Sequence, residues 1–148
     1  MTGILLQVLA ACIGTVAFSV LFGVPKKYYH HCGIIGGAGW FLYAVLSAYT
    51  GLSPTEITFF ATVLVMLMSR FAAVKERCPV TVFVISGIFP LVPGAGIYWT
   101  AYYLVTSQME LALSSGFAAL KAAVAIVLGI VAVFELPHRV FHLGKRPA

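Results

Sequence analysis

Residues 87–96 read Gly-Ile-Phe-Pro-Leu-Val-Pro-Gly-Ala-Gly and place two prolines three positions apart inside an apolar stretch that otherwise looks like one membrane-spanning helix. Proline removes a backbone hydrogen-bond donor and clashes with the preceding helical turn, whereas Gly94 and Gly96 allow the backbone to change direction. Backbone that is not helical cannot face lipid, because lipid satisfies neither its N–H nor its C=O groups. The stretch therefore predicts a helix that unwinds between Pro90 and Gly94 beside protein or a water-filled cavity, as at the substrate sites of transporters.

The composition indicates an integral membrane protein. Of the 148 residues, 61% are hydrophobic and 9% are charged, and a soluble domain of this size carries far more charge on its surface. The net charge of +5 comes from basic residues beside apolar segments and not from a basic stripe. It therefore indicates orientation in a lipid bilayer and no nucleic-acid partner. The three cysteines lack CxxC spacing and predict no disulfide framework.

Five apolar segments approach or exceed the roughly 20 residues that cross a bilayer. They cover residues 4–24, 32–50, 57–74, 80–106 and 111–136. We therefore expect an all-α integral membrane protein, a single transmembrane domain over residues 1–148, with five helices of which the fourth is broken. No basic residue precedes the first segment, which is too long for the apolar core of a cleaved signal, so we expect it to remain as a helix.

The Lys and Arg residues outside the apolar segments occur in every second connection between them. The connections around residues 51–56 and 108–110 carry none, and the others carry Lys26, Lys27, Lys75, Arg77, Arg139, Lys145 and Arg146. Connections rich in Lys and Arg stay in the cytoplasm. The pattern predicts a multi-pass protein of the bacterial inner membrane with its N-terminus outside and its C-terminus in the cytoplasm.

The break and one lysine together suggest an anion site. The half-helix after the break should start near the bilayer midplane, so that the free N–H groups of Ala95, Gly96 and Ile97 present the positive end of a helix dipole. Counted at 1.5 Å per residue, Lys121 lies roughly 12 Å below the outer end of its helix and Gly94 about 18 Å below the outer end of the preceding one. A lysine turned inward would share the cavity at Pro93 and Gly94. The alternative is snorkelling, in which the ammonium reaches the outer headgroups.

Arg70 and Tyr98 are further candidates. Arg70 lies near the cytoplasmic end of its segment, where it either anchors the helix at the interface, pairs with Glu135 or acts as a gate. Tyr98 follows Gly94 by one turn and is placed to offer its hydroxyl group to a ligand. The aromatic residues after it predict an outer interfacial belt, and they are Trp99, Tyr102 and Tyr103.

The second segment carries glycines at helical spacing. Gly33 and Gly37 are four residues apart and are flanked by Gly36 and Gly39. Small residues at this spacing let a second helix approach closely. We expect packing within the chain, with a contact to another subunit as the alternative.

No motif indicates catalysis, a metal site or a cofactor. The chain shows no Ser/His/Asp order, no nucleotide-binding glycine loop and no paired intramembrane carboxylates. Its histidines fall at headgroup level, where they are usually solvated, and no carboxylate stands near them in sequence to orient a metal ligand. They are His30, His31, His138 and His142, the first two being followed by Cys32. We therefore expect no enzyme and no cofactor.

Three sequence stretches carry a resemblance to a known family. They are Ser69-Arg70-Phe71, Pro79-Val-Thr-Val-Phe and Gly-Ile-Phe-Pro-Leu-Val-Pro-Gly followed by Tyr98. With them the chain resembles the C-terminal membrane half of the threonine/serine exporter family, most closely the small subunit of the split succinate exporter. The resemblance implies a secondary transporter, a second membrane subunit that carries the other half, and a pathway at Pro90, Pro93, Gly94 and Tyr98.

The residues also suggest a substrate class. A helix N-terminus and an inward lysine both favour anions, and the glutamates lie near the ends of the segments, where they cannot hold an amino group at the midplane. We therefore expect a subunit that exports small organic acids such as succinate by alternating access. Export of threonine or serine is the first alternative, because the partner half can supply the missing carboxylate. A non-transporting membrane scaffold is the second.

Overall fold

The computed structural model describes residues 2–136, and the regular secondary structure of this part is helical throughout. Two short 3₁₀ turns, Lys26–Tyr28 and Phe89–Leu91, separate some of the helices. The α-helices are α1 (Thr2–Leu21), α2 (Tyr29–Tyr49), α3 (Pro54–Glu76), α4 (Thr81–Gly87), α5 (Gly94–Val105) and α6 (Met109–Phe134). The predicted all-α class is confirmed. Several predicted features lie outside the described residues, namely His138, Arg139, His142, Lys145 and Arg146.

Four of the helices, α1, α2, α3 and α6, are each long and apolar enough to cross a membrane. The fourth predicted segment, residues 80–106, is made of α4 and α5, which are each too short to cross a membrane alone. They meet at a bend of 52° and, taken together, are long and apolar enough to form a fifth candidate span. The chain is therefore a multi-pass membrane protein with four continuous spans and one broken pair.

The break begins earlier than predicted. Helix α4 ends at Gly87, Pro90 lies in the 3₁₀ turn, and α5 begins at Gly94. The ring of a proline clashes with the carbonyl group four residues before it, which for Pro90 is that of Ser86. Regular α-helix therefore stops before Pro90, and the interruption covers residues 88–93 instead of starting at the proline.

Helix α3 also begins earlier than predicted, at Pro54 instead of Ile57. Ser53 and Glu56 form a capping box in which the Ser53 backbone N–H donates to Glu56 Oε2 at 2.7 Å and the Glu56 N–H donates to Ser53 Oγ at 3.3 Å. Proline is favoured at the first helical position, because its missing N–H has no intrahelical partner there. This cap fixes the start of α3.

The glycines of α2 pack within the chain, as expected. A Cβ atom on Gly36 would lie 2.1 Å from Thr15 Oγ1 of α1, and one on Gly37 would lie 2.2 Å from Cys12 Sγ. On the other side, a Cβ atom on Gly39 would lie 2.4 Å from Val65 Cγ2 of α3. Helix α2 is thus held closely between α1 and α3.

The core lies between α2, α3 and α4. Phe83 of α4 is fully buried, and its ring meets the Tyr28 ring edge-on with centroids 5.4 Å apart. Helix α5, in contrast, has no buried residue and packs mainly on α6, where a Cβ atom on Gly96 would lie 3.1 Å from Ala119 Cβ. The broken span therefore leads from the core of the bundle to its periphery.

One end of the bundle is basic. Lys26, Lys27 and Arg77 lie at this end, and His31 Nε2 at the start of α2 lies 3.8 Å from Glu76 Oε1 at the end of α3. Glu76 is a carboxylate beside His31 that sequence proximity did not reveal, because the two residues come together only in the fold. We call this end of the bundle the basic end and the end that carries Ser53 and Gln108 the opposite end.

Candidate functional site: a cavity at the broken span

A cavity of about 380 Å³ lies beside the break, between α2, α3 and α6. It brings together five of the residues that the sequence singled out, Pro90, Pro93, Gly94, Ala95 and Lys121. The other lining residues are Trp40, Tyr43, Ser53, Pro54, Thr55, Thr58, Leu91, Val92, Ala118 and Ala122. Because Ser53, Pro54 and Thr55 stand at the start of α3, the cavity extends from the break toward the opposite end.

The first turn of α5 contributes backbone donors, and fewer of them are free than predicted. The N–H of Ile97 donates to the Pro93 carbonyl oxygen at 3.1 Å, and that of Gly94 donates to the Val92 oxygen at 2.7 Å. Pro93 gives this helix no side-chain cap. The N–H groups of Ala95 and Gly96 are left without a backbone acceptor among the described residues. The positive end of the helix dipole is therefore concentrated on these two N–H groups.

Lys121 lies deeper than the sequence count suggested. Helix α6 begins at Met109, so Lys121 is twelve residues, or about 18 Å, from its start at 1.5 Å per residue. Gly94 is eleven residues, or roughly 16 Å, from the end of α5 at the same rise. The two residues share one depth and one cavity. Lys121 is also exposed on the surface of the single chain, so its side of the cavity is open.

The cavity has a positive electrostatic character. Lys121 is its single charged lining residue within residues 2–136, and no Asp or Glu lines it there. The start of α5 adds partial positive charge near the same depth. The arrangement suits a small solute that carries a negative group.

Sequence reasoning missed the aromatic and hydroxyl residues of the cavity. The rings of Trp40 and Tyr43 stack with their centroids 5.2 Å apart. Trp40 Nε1 is buried and has no hydrogen-bond partner in the described part of the chain. Thr55 and Thr58 line the facing wall on α3. The one available sequence signal was the spacing of Trp40 and Tyr43, which puts both rings on one face of a helix.

Two of the predicted pathway residues lie outside the cavity. Gly96 faces Ala119 of α6. Tyr98 is 61% exposed, and its ring stacks on that of Tyr102 with centroids 6.4 Å apart. Gly96 therefore belongs to the contact between α5 and α6, and Tyr98 belongs to the exposed surface of α5.

Arg70 lies at the basic end and not at the cavity. Its side chain is buried, and its Nη1 donates to the carbonyl oxygens of Val133 and Leu136 at the end of α6. The Val133 carbonyl oxygen also accepts the N–H of Leu136, so Arg70 adds a side-chain donor at the C-terminal end of α6 and at Leu136 just after it. Arg70 therefore ties the end of α3 to the end of α6.

The other side of the break is closed by apolar packing. Phe89 stacks on Phe18 of α1. Pro90, Pro93 and Gly94 face the cavity on the opposite side. The interruption thus has one wall fixed by the bundle and one wall available to a solute.

The groups that line this site suit the binding of a solute. Within residues 2–136, no three His, Cys, Asp or Glu side chains come together as ligands for a metal ion. The cavity offers an ammonium group, helix N–H groups, threonine hydroxyl groups and aromatic rings. Such a set can hold a small polar solute in place within a membrane bundle.

Comparisons with known proteins identify the family. No curated protein and no solved structure matches the chain. A family model described as Threonine/Serine exporter, ThrE, matches residues 7–135, which include the whole broken span and the cavity. This family implies a membrane transporter of the exporter type. Since the match covers most of the sequence, the chain belongs to the threonine/serine exporter family.

Proposed function

We propose that this chain is one subunit of a secondary transporter that exports small organic acids, such as succinate or a similar dicarboxylate. The observation that carries the proposal is the shared cavity of Lys121 and the start of α5. One carboxylate of the substrate would accept a hydrogen bond from the N–H group of Ala95, which lines the cavity at the start of α5. The other would pair with the Lys121 ammonium.

The absence of a carboxylate from the described lining favours an acid over an amino acid. A zwitterion such as threonine needs an acceptor for its ammonium group, because a buried charge without a partner is costly. The lining supplies a lysine and no Asp or Glu. A dicarboxylate needs no such acceptor and uses both positive groups.

Threonine or serine remains the second candidate substrate, and the family description favours it. The acceptor for the ammonium group would then come from another subunit. The hydroxyl groups of Thr55 and Thr58 on the cavity wall also suit a substrate that carries a hydroxyl group.

We also propose that a second membrane subunit covers the open side of the cavity. Lys121 lies about 18 Å along α6 by helical rise and is exposed in the single chain. A lysine at this depth that faced lipid would cost several kcal/mol, so protein or water should cover it. A partner half that starts in the cytoplasm would insert with the opposite orientation and complete an inverted repeat. In this arrangement the basic end faces the cytoplasm of a bacterial cell.

Transport in liposomes tests the proposal. The chain would be reconstituted with any membrane subunit that co-purifies with it, and the flux of labelled succinate, threonine and serine would be followed. We expect succinate flux above that of empty liposomes. Flux of threonine or serine without succinate flux would support the second candidate. No flux of any of the three would support a scaffold and would contradict a transport function for these substrates.

A further inference from the structure

A second pocket, of about 430 Å³, lies at the basic end between the end of α3, the start of α4 and the end of α6. Two arginines line it, Arg70 and Arg77, and no acidic residue does so in the part of the chain that the structure describes. The nearby carboxylate of Glu76 lies beside His31 of α2. The remaining lining residues are Ala73, Val74, Cys78, Pro79, Val80 and Phe134.

The backbone at Arg77 is unusual for an arginine. Its φ is 53° and its ψ is 47°, which is the left-handed conformation that ends α3, and its N–H donates to the Ala73 carbonyl oxygen. Glycine takes this conformation without steric cost, whereas other residues lose roughly 1–2 kcal/mol. An arginine here accepts that cost and brings a guanidinium group to the pocket.

Apart from the two arginines the lining of the pocket is mostly apolar, and part of it is exposed on the surface of the chain. Phe134 is 52% exposed and Val74 is 37% exposed, and on a membrane protein such side chains meet lipid. Basic pockets between helices at the headgroup level suit lipid phosphates. Arginine is well matched to this group, because its planar guanidinium can donate two hydrogen bonds to phosphate oxygens.

We propose that Arg77 and Arg70 form a binding pocket for the phosphate of an anionic phospholipid at the basic end of the bundle. The phosphate accepts hydrogen bonds from the exposed Arg77 guanidinium, the buried Arg70 adds positive charge to the same pocket, and the acyl chains run along Val74 and Phe134. Arg70 also donates to the end of α6, so the bound lipid connects α3, α4 and α6 at this end. The site is separate from the cavity at the break and does not depend on the transported substrate.

The test uses the full chain in detergent and three probes at one ionic strength. These are dihexanoyl phosphatidylglycerol, dihexanoyl phosphatidylcholine and inorganic phosphate, each titrated while the thermal unfolding midpoint is measured. We expect phosphatidylglycerol to raise the midpoint with saturation and the other two to have little effect. Equal shifts with phosphatidylcholine would overturn the charge requirement. An equal shift with inorganic phosphate would assign the pocket to soluble anions and overturn the lipid.

Three variants locate the site. Arg77→Gly keeps the left-handed turn and removes the guanidinium, so it should fold and weaken phosphatidylglycerol binding about fivefold, which corresponds to ~1 kcal/mol for one basic group near a membrane surface. Arg77→Lys should weaken binding less. Lys75→Gln is the matched control, because Lys75 lies two residues away but does not line the pocket. A loss with Lys75→Gln as large as that with Arg77→Gly would show general surface attraction and overturn the pocket.

Discussion

Lys121 on α6 and Gly94 at the start of α5 line the same cavity, and the helical rise places them at nearly the same depth. We expect Lys121→Gln to weaken succinate transport, because the neutral amide cannot pair with a carboxylate as an ammonium does. Hydrogen bonds to charged groups contribute about 1.5–3 kcal/mol, so the concentration for half-maximal flux should rise roughly tenfold or more. Concentration-dependent uptake into liposomes measures this.

Two further variants control for charge and for general damage. Lys121→Arg keeps a positive group in the cavity and should retain a substantial part of the transport. Lys75→Gln removes a lysine that lies outside the cavity and should transport as the native chain does. Unchanged half-maximal flux in Lys121→Gln would remove Lys121 from the substrate site.

The two prolines of the break provide the second prediction. The double variant Pro90→Ala/Pro93→Ala removes both proline rings. A proline in a helix interior destabilises the helix by about 3 kcal/mol or more, so the variant should favour a helix through the break. We expect α4 and α5 to approach one continuous helix and the transport to fall sharply, since the start of α5 would no longer present free N–H groups. Flux assays and the distance between spin labels at Thr81 and Val105 measure the two effects.

The expected distance is longer in the double variant, because straightening the 52° bend moves the helix ends apart. Pro25→Ala is the control, since Pro25 lies in the turn after α1 and away from the break. A straightened span that still transports at the native rate would show that the break is not needed for function.

The break was predictable, whereas most of the cavity wall was not. Two prolines and three glycines within residues 87–96 predict an interruption of the helix without any knowledge of the neighbouring helices. The sequence contains no comparable signal that Trp40, Tyr43 and Thr58 face the cavity. In a membrane helix the residues that face lipid are as apolar as those that face the core, so no polar stripe marks the exposed face. Lys121 was identifiable because a charge inside an apolar segment requires an explanation.

Some features were present in the sequence and were missed. Ser53, Pro54 and Glu56 match the capping-box pattern with proline at the first helical position, and they place the start of α3 at Pro54. The contact of His31 with Glu76 is different in kind. These residues are far apart in sequence, and only the antiparallel packing of α2 on α3 brings them together.

The close packing of α1 on α2 provides the third prediction. Gly36→Ala places a methyl group within 2.1 Å of the fully buried Thr15 Oγ1, and overpacking of this kind typically costs about 1–3 kcal/mol. We expect a lower thermal unfolding midpoint in detergent.

Gly14→Ala is the matched control, since a Cβ atom there meets nothing within 4 Å. That variant should unfold at the native midpoint or slightly above it, because alanine favours helix over glycine. A native midpoint for Gly36→Ala would contradict the contact.

Trp40 provides the last prediction. Trp40→Phe keeps an aromatic ring beside Tyr43 and removes the buried Nε1–H, which has no acceptor among the described residues. A buried donor without an acceptor costs about 1–3 kcal/mol, so the variant without substrate should unfold at the native midpoint or above it. If a substrate or another conformation supplies the acceptor, the same change should reduce flux, and we expect this combination of retained stability and lower transport. Trp99→Phe is the control, because Trp99 lies on the exposed surface of α5 outside the cavity. A lower midpoint for Trp40→Phe would show that Nε1 contributes to stability in the resting protein, and unchanged flux would show that transport does not use it.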